Sequence, residues 1–505
     1  MKKPLFAIIL PLVLFSCQNQ TKDSDSQIFY KSIDSLLQKS ISDWNVPGLA
    51  VGIIADDTIF LSKGYGVIHV DKPLDVTDTT LFGIASLTKA FTATGIGIAQ
   101  KQGLLSIYDP IKKHLKQFET ANDTVTKTIT FYDVLSHQTG FSTFSGDLSW
   151  YGSNKSKAEV IELIKYVPIK NSPQSEYGYS NIMYLVAGVA LEEAVNQKYE
   201  DYINANLLSP LKMGYTTFNY SEVIKLENIA NPHIIVDKEN KPINYIDWTN
   251  ISPAGGLFSN IKDLTKWAKF QWNFDSTIVD REFINIQQSV ITSQKLNMLD
   301  NIAPDIIKNK GYGLGWDVLD FNNYKVIMHN GGLDGMTSQI VIIPEKKTAF
   351  ILLANTSTPL PIVLSYELLY QFLVDINSPY YKIVLEKYNS FKGFEIEQDT
   401  TLSPQKPDLE TLKGKYIDKL MGEVVIYENT ESQTIEIQFV SAPHFDGVIN
   451  VSDDGDVKII WQNIISLPDG LILINRSENG VVTSFNIKCP NPDFHFEEIN
   501  FVKIN

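Results

Sequence analysis

The chain has 505 residues, 44% hydrophobic and 20% charged, a length and composition that predict about two to four domains with ample core and exclude wholesale disorder. Its net charge of −15 argues against nucleic acid or an anionic membrane surface as a partner, since either would repel it. The histidines are scattered and neither C-x-x-C nor H-E-x-x-H occurs, so neither a metal nor any other cofactor is expected.

Lys2 and Lys3 precede an apolar run, Leu5 to Phe15, that is too short to span a bilayer comfortably. It ends in Leu14-Phe15-Ser16-Cys17 and is followed by polar Gln18 to Asp23. This resembles a bacterial lipoprotein signal, in which cleavage precedes the cysteine and the cysteine carries the lipid. The resemblance implies a signal peptide over 1–16, a tether over 17–26, and export to the bacterial cell envelope with a lipid anchor at Cys17 as the sole membrane contact. Only Cys489 then remains, so no intramolecular disulfide can form.

Apolar residues at helical spacing predict a helix over Phe29–Leu37, broken by Pro47-Gly48. Leu49–Ile54 and Thr58–Leu61 read as two strands joined at Asp56-Asp57. Residues 90 to about 280 read as mainly helical, with breaks at Asp109-Pro110, Thr139-Gly140, Ser172-Pro173 and Pro253–Gly256. Strands return at Lys325–Met328, Gln339–Ile343 and Ala349–Leu353, before a helix over Ile362–Leu369. Strands from both ends with helices between them predict an α+β domain over 27–376, an antiparallel sheet flanked by helices with a helical insertion and the site in the cleft between them. A linker is expected over 377–407. Glu423–Tyr427, Thr434–Phe439, Val457–Trp461 and Leu471–Ile474, separated by turns, then predict a small all-β domain over 408–505, a sandwich or barrel without a catalytic constellation.

Three motifs carry chemistry. Ser86 and Lys89 lie three apart at the start of a buried helix, so the amine can reach the hydroxyl; desolvation lowers a lysine's pKa and lets it take the serine's proton. Tyr179-Ser180-Asn181 opens an apolar helix. The phenol can relay a proton, its pKa lowered by a cationic neighbour, while the amide can orient Lys89 and a substrate carbonyl. His329-Asn330-Gly331-Gly332 follows a strand, where glycines let a backbone amide approach a ligand. His329 is expected at the cleft as an electrostatic or hydrogen-bonding partner of Tyr179. Taken singly, S-x-x-K is common by chance, and the other two motifs also read as structure: a core tyrosine with a helix cap at Asn181, and a glycine-rich hairpin with an incidental histidine.

Together, in this order, the three motifs resemble those of the serine β-lactamase and penicillin-binding-protein superfamily, nearest to class C β-lactamases and their esterase and peptidase relatives. Ile129–Gly140, Pro253–Ser259 and Gly311–Trp316 also look like that family, and the likeness covers roughly 28–375. The tail from about 400 resembles the small β-domain appended to some relatives. The resemblance implies Ser86 as acyl-forming nucleophile, Lys89 as base and Tyr179 as proton relay. It also implies Asn181 positioning substrate and an oxyanion hole from the amides of Ser86 and Gly332, on a substrate-binding edge that includes Asn330 and Gly331. The third motif departs from the family's K-T-G. With His329 and Asn330 in those places, the permanent cation and the hydroxyl that grip a substrate carboxylate are gone, which argues against efficient β-lactam hydrolysis. The expectation is an exported serine hydrolase cleaving an ester or amide (a peptide, D-amino-acid derivative or β-lactam-like compound) through an acyl-enzyme, without a cofactor. The alternative is a non-catalytic lipoprotein that binds cell-wall peptides.

Overall fold

The run Leu49-Ala50-Val51-Gly52-Ile53-Ile54 lacks polar alternation because both faces of its strand are covered. In the structure, a computed structural model that describes residues 17–302, 305–390, 409–453, 455–464 and 467–504, this strand (Gly48–Ala55) is buried along nearly its whole length. Leu49, Val51 and Ile53 meet Ile33 and Leu37 of the N-terminal helix and Leu360 and Leu364 of a later one. Ala50 and Ile54 belong to a second cluster with Phe91, Ile261 and Leu264.

Among the described residues this sheet has eight antiparallel strands. Their spatial order is Thr58–Gly66, Gly48–Ala55, Thr348–Ala354, Met336–Ile343, Tyr324–Leu333, Asp317–Phe321, Ile307–Tyr312 and Thr292–Ser293. The two ends of the domain meet in register, Leu49 opposite Ala354 and Ile54 opposite Ala349. The helices Thr88–Lys101, Asn181–Val195 and Ile261–Phe270 belong to the intervening segment, so the α+β class with a helical insertion holds.

Some elements escaped the sequence. The first helix runs Cys17–Asp43 and takes in residues expected as a tether, a stretch without Gly or Pro to stop it. Ile307–Tyr312 was not foreseen, since Asn309 at φ +50° and a register shift between Lys308 and Gly311 break its alternation. A helix over Tyr380–Ser390 occupies the start of the expected linker. Tyr380, Tyr381 and Val384 are buried at helical spacing against the first cluster, and the Tyr381 hydroxyl donates to Asp43 Oδ2 at 2.8 Å. The expected signal peptide, and the linker from 391 on, lie outside the described residues.

The C-terminal β-domain is a closed barrel of eight strands from Gly414–Asp418 to Phe501–Ile504, among the described residues. The first and last strands pair, Ile417 opposite Val502, which decides between sandwich and barrel. Tyr416, Phe439, Phe485 and Phe501 are fully buried in the core. The barrel docks on residues 143–154: Gly146 N donates to Glu498 Oε2 at 2.8 Å, Ser145 Oγ donates to the same carboxylate, and Asn154 N donates to Ser441 O at 3.0 Å. The Tyr151 ring lies 4.6 Å from that of Phe494.

Candidate active site

Ser86 sits on a turn held from two sides. Ile84 N donates to Leu257 O at 2.9 Å, and Ile84 O accepts from Ser338 Oγ at 2.9 Å. Between them Ala85 has φ +47°, a left-handed conformation that costs an L-residue about 1–2 kcal/mol. Gly331 presses against the same turn, where a Cβ would lie 2.3 Å from Ile84 O. A 3-10 turn, Ala85–Leu87, then feeds the helix Thr88–Lys101, with Ser86 half-buried and Lys89 one turn deeper and inaccessible.

Lys89 Nζ lies 3.1 Å from Ser86 Oγ, 2.8 Å from Asn181 Oδ1 and 3.0 Å from Ala254 O. Burial lowers its pKa to about 7, although the nearby Asp147 pulls the other way. Two fixed acceptors take two N–H groups, so an uncharged amine turns its lone pair toward the serine hydroxyl. Asn181 is engaged at both ends, since its Nδ2 donates to Asp147 Oδ2 at 2.7 Å; its amide orients the lysine and also lines the cavity. Trp150 Nε1 holds the other Asp147 oxygen at 2.9 Å, and burial pushes this carboxyl up to about 7. No motif in Gly146-Asp147-Leu148-Ser149-Trp150 points to Asp147.

The Tyr179 ring lies 4.6 Å from Lys89 Nζ, and its phenol meets the Ser86 hydroxyl. Burial raises the phenol above its ordinary range, which overturns the lowering expected from a cationic neighbour: Tyr179 keeps its proton and acts as a hydroxyl. His137 steadies this corner. Its Nδ1 accepts from Ser180 N at 3.1 Å, and its ring lies 4.3 Å from that of Tyr179. The helix Asn181–Val195 is capped by Ser180, whose Oγ accepts from Met183 N.

His329 lies at the cleft, 2% exposed, but does not hydrogen-bond Tyr179. Its Nδ1–H donates to Asn330 O at 2.6 Å, so Nε2 is the acceptor for the Tyr312 hydroxyl at 2.9 Å. The Tyr179 and His329 rings stand 6.2 Å apart. Burial first, and Lys89 second, lower His329 to about 3, so it brings no cation. Asn330 is exposed at the strand edge, Gly331 fills the close approach behind Ser86, and a Cβ on Gly332 would meet nothing within 4 Å.

These groups open into a cavity of about 1250 Å³ lined by Ser86, Tyr179, His329 and Gly332 and, from the barrel, Leu467, Asp493 and Phe494. That contribution of the barrel was not legible in its sequence. Among the described residues no group of three or more His, Cys, Asp or Glu is placed to hold a metal ion.

The Beta-lactamase family model matches residues 33–368. Protein flp of Staphylococcus aureus (strain MW2) is 27% identical over 344 residues, 67% of this chain and 64% of that protein, so the chain spans less than two thirds of this relative's length. Among solved structures, the octameric penicillin-binding protein homologue from Pyrococcus abyssi superposes with a TM-score of 0.62 at 21% identity, over 94% of this chain and 99% of the other. EstCE1, a hydrolase with promiscuous acyltransferase activity, superposes with a TM-score of 0.59 at 17% identity, over 70% of this chain and 99% of the other. Both structures share the fold.

Proposed function

From the premise that this chain belongs to the Beta-lactamase family and is a serine hydrolase of that fold, we propose that it cleaves an ester or amide through an acyl group carried on Ser86. The observation that carries the reading is Lys89 Nζ, 3.1 Å from Ser86 Oγ and held by Asn181 and Ala254 O. Uncharged Lys89 takes the serine's proton as Oγ attacks the carbonyl. The oxyanion forms against the amides of Ser86 and Gly332. On collapse, the proton taken up by Lys89 passes by way of the Tyr179 hydroxyl to the leaving group, so the phenol ends protonated as it began; a water then gives a proton to Lys89 as it attacks the acyl carbonyl, and that proton returns to Ser86 Oγ as the acyl product leaves.

Two features bear on the substrate. His329 is uncharged, so the strand edge offers no cation to grip a carboxylate, which supports esters and peptide or D-amino-acid amides over β-lactams. The cavity of about 1250 Å³ exceeds the roughly 300–1,000 Å³ usual for small-molecule sites, which supports a substrate the size of a short peptide.

Labelling by a fluorophosphonate or penicillin probe is expected in the wild type and lost in Ser86→Ala; equal labelling of both would remove Ser86 from the mechanism. The same probe applied to fractionated cells tests the proposed export and anchor. The wild type should be found with membranes and Cys17→Ala released from them, and a Cys17→Ala protein that stays with membranes would overturn the anchor.

A further inference from the structure

A buried carboxylate at the wall of the cavity stands behind the Lys89–Asn181 pair. Asp147 is 4% exposed. It opens a 3-10 turn, Asp147–Ser149, after Gly146 at φ +82°, the residue whose amide Glu498 of the barrel holds. Both Asp147 oxygens face N–H donors, of Asn181 and of Trp150, so both act as acceptors. Asp147 therefore takes the Nδ2 end of Asn181 at 2.7 Å and leaves Oδ1 for Lys89 at 2.8 Å. A flipped amide would set its oxygen against the carboxylate and its N–H against the lysine, losing both bonds. The Trp150 indole at 2.9 Å occupies the second carboxylate oxygen, so the carboxylate cannot rotate away without orphaning a buried N–H.

We propose that Asp147 is a positioning residue for the base: it locks the Asn181 amide in the orientation that receives Lys89, and its negative charge holds the proton on the lysine. The proposal rests on the reading of Lys89 as the base for Ser86. Its electrostatic part has a definite sign. The groups facing Lys89 are Ser86, Asn181, Ala254 O, the rings of Tyr179 and Tyr184 at 4.6 and 5.4 Å, and His137 and His329. Both histidines are held uncharged, chiefly by burial and then by Lys89 itself. The charged groups acting on Asp147 are Lys89 and Asp493, the second raising its proton affinity. Removing the charge of Asp147 therefore removes an attraction for the Lys89 proton and lets the lysine deprotonate at lower pH.

The experiment follows the Lys89 titration in the full chain by NMR of ¹³Cε-labelled lysine, assigned by comparison with Lys89→Arg, alongside the pH profile of probe acylation. In Asp147→Asn both the NMR midpoint and the acid limb of acylation should move down by about one pH unit. Asp147→Glu, which keeps the charge, should stay within a few tenths of a unit of the wild type. Should Asp147→Asn not fold, Asp147→Ser carries the same test. A midpoint and acid limb that coincide with the wild type in a folded variant, even with slower acylation at every pH, would reduce Asp147 to packing and overturn the proposal. Where no probe labels the wild type, the hydrolase reading has failed by itself, and the NMR midpoint still decides whether Asp147 controls the Lys89 proton.

Discussion

At the scale of single residues, the site works by taking charge out of water. Lys89 is deprotonated more readily because burial removes water from its ammonium and Asp147 only partly compensates. His329 is driven the same way by the same burial. The consequence is a pH profile with a known sign. A base with a pKa lowered to about 7 is active when unprotonated, so acylation of Ser86 should rise with pH and level off above 7. Below 7 it should fall about tenfold per pH unit. The limb is read from Lys89, whose proton the nearby Asp147 helps to hold. A stopped-flow acylation series from pH 5 to 9 checks this; a flat profile across that range would show that Lys89 is not the base. Tyr179, raised by burial, keeps its proton throughout and sets no alkaline limb in that window.

At the scale of elements, Ser86 is positioned by a strand hairpin gripping a turn. Tyr324–Leu333 and Met336–Ile343 pair with Gly331 opposite Ser338, and both residues bear on Ile84 O. The strained backbone at Ala85 is thus held by the very strand that lines the cleft, so Ser86 and the glycine edge opposite it are assembled as one unit. Two neighbouring glycines separate this packing role from substrate access. In Gly331→Ala the methyl would lie 2.3 Å from Ile84 O and 2.4 Å from Ser338 Oγ, so the backbone must shift. A loss of about 1–3 kcal/mol and at least tenfold slower acylation are expected. Gly332→Ala adds a methyl to open space and should change stability by less than about 0.5 kcal/mol. Thermal unfolding with probe kinetics compares the pair, and equal tolerance at both positions would dissolve the proposed grip on the turn.

At the scale of the whole molecule, the barrel is a wall of the cleft. Glu498, its side chain 1% exposed, bonds Ser145 and Gly146 at the start of the turn that carries Asp147, and Phe494 seals the Tyr151 side. Glu498→Ala removes two hydrogen bonds to a charged group, each worth about 1.5–3 kcal/mol. Faster hydrogen exchange over residues 143–154 and slower acylation are expected together; exchange and rate both unchanged would leave the barrel a passenger.

Much of this was legible in the chain itself. Continuous apolar runs mark strands covered on both faces, and Ser86, Lys89, Tyr179 and Asn181 are legible because a helix start and a three-residue spacing are local properties. Tyr380, Tyr381 and Val384 carried a helical pattern within the presumed linker, a signal present but outweighed by the polar, proline-bearing stretch that follows. Other features were decided only by tertiary contact. Asp147 is an ordinary loop aspartate until Asn181 and Trp150 close around it, His329 reads as a partner of Tyr179 until the Tyr312 hydroxyl takes its Nε2, and the barrel bears no motif that marks it as part of the cleft. Sequence spacing reports which groups neighbour one another along the backbone, whereas proton affinity depends on which distant groups exclude water from them, and that is settled only when the chain has closed.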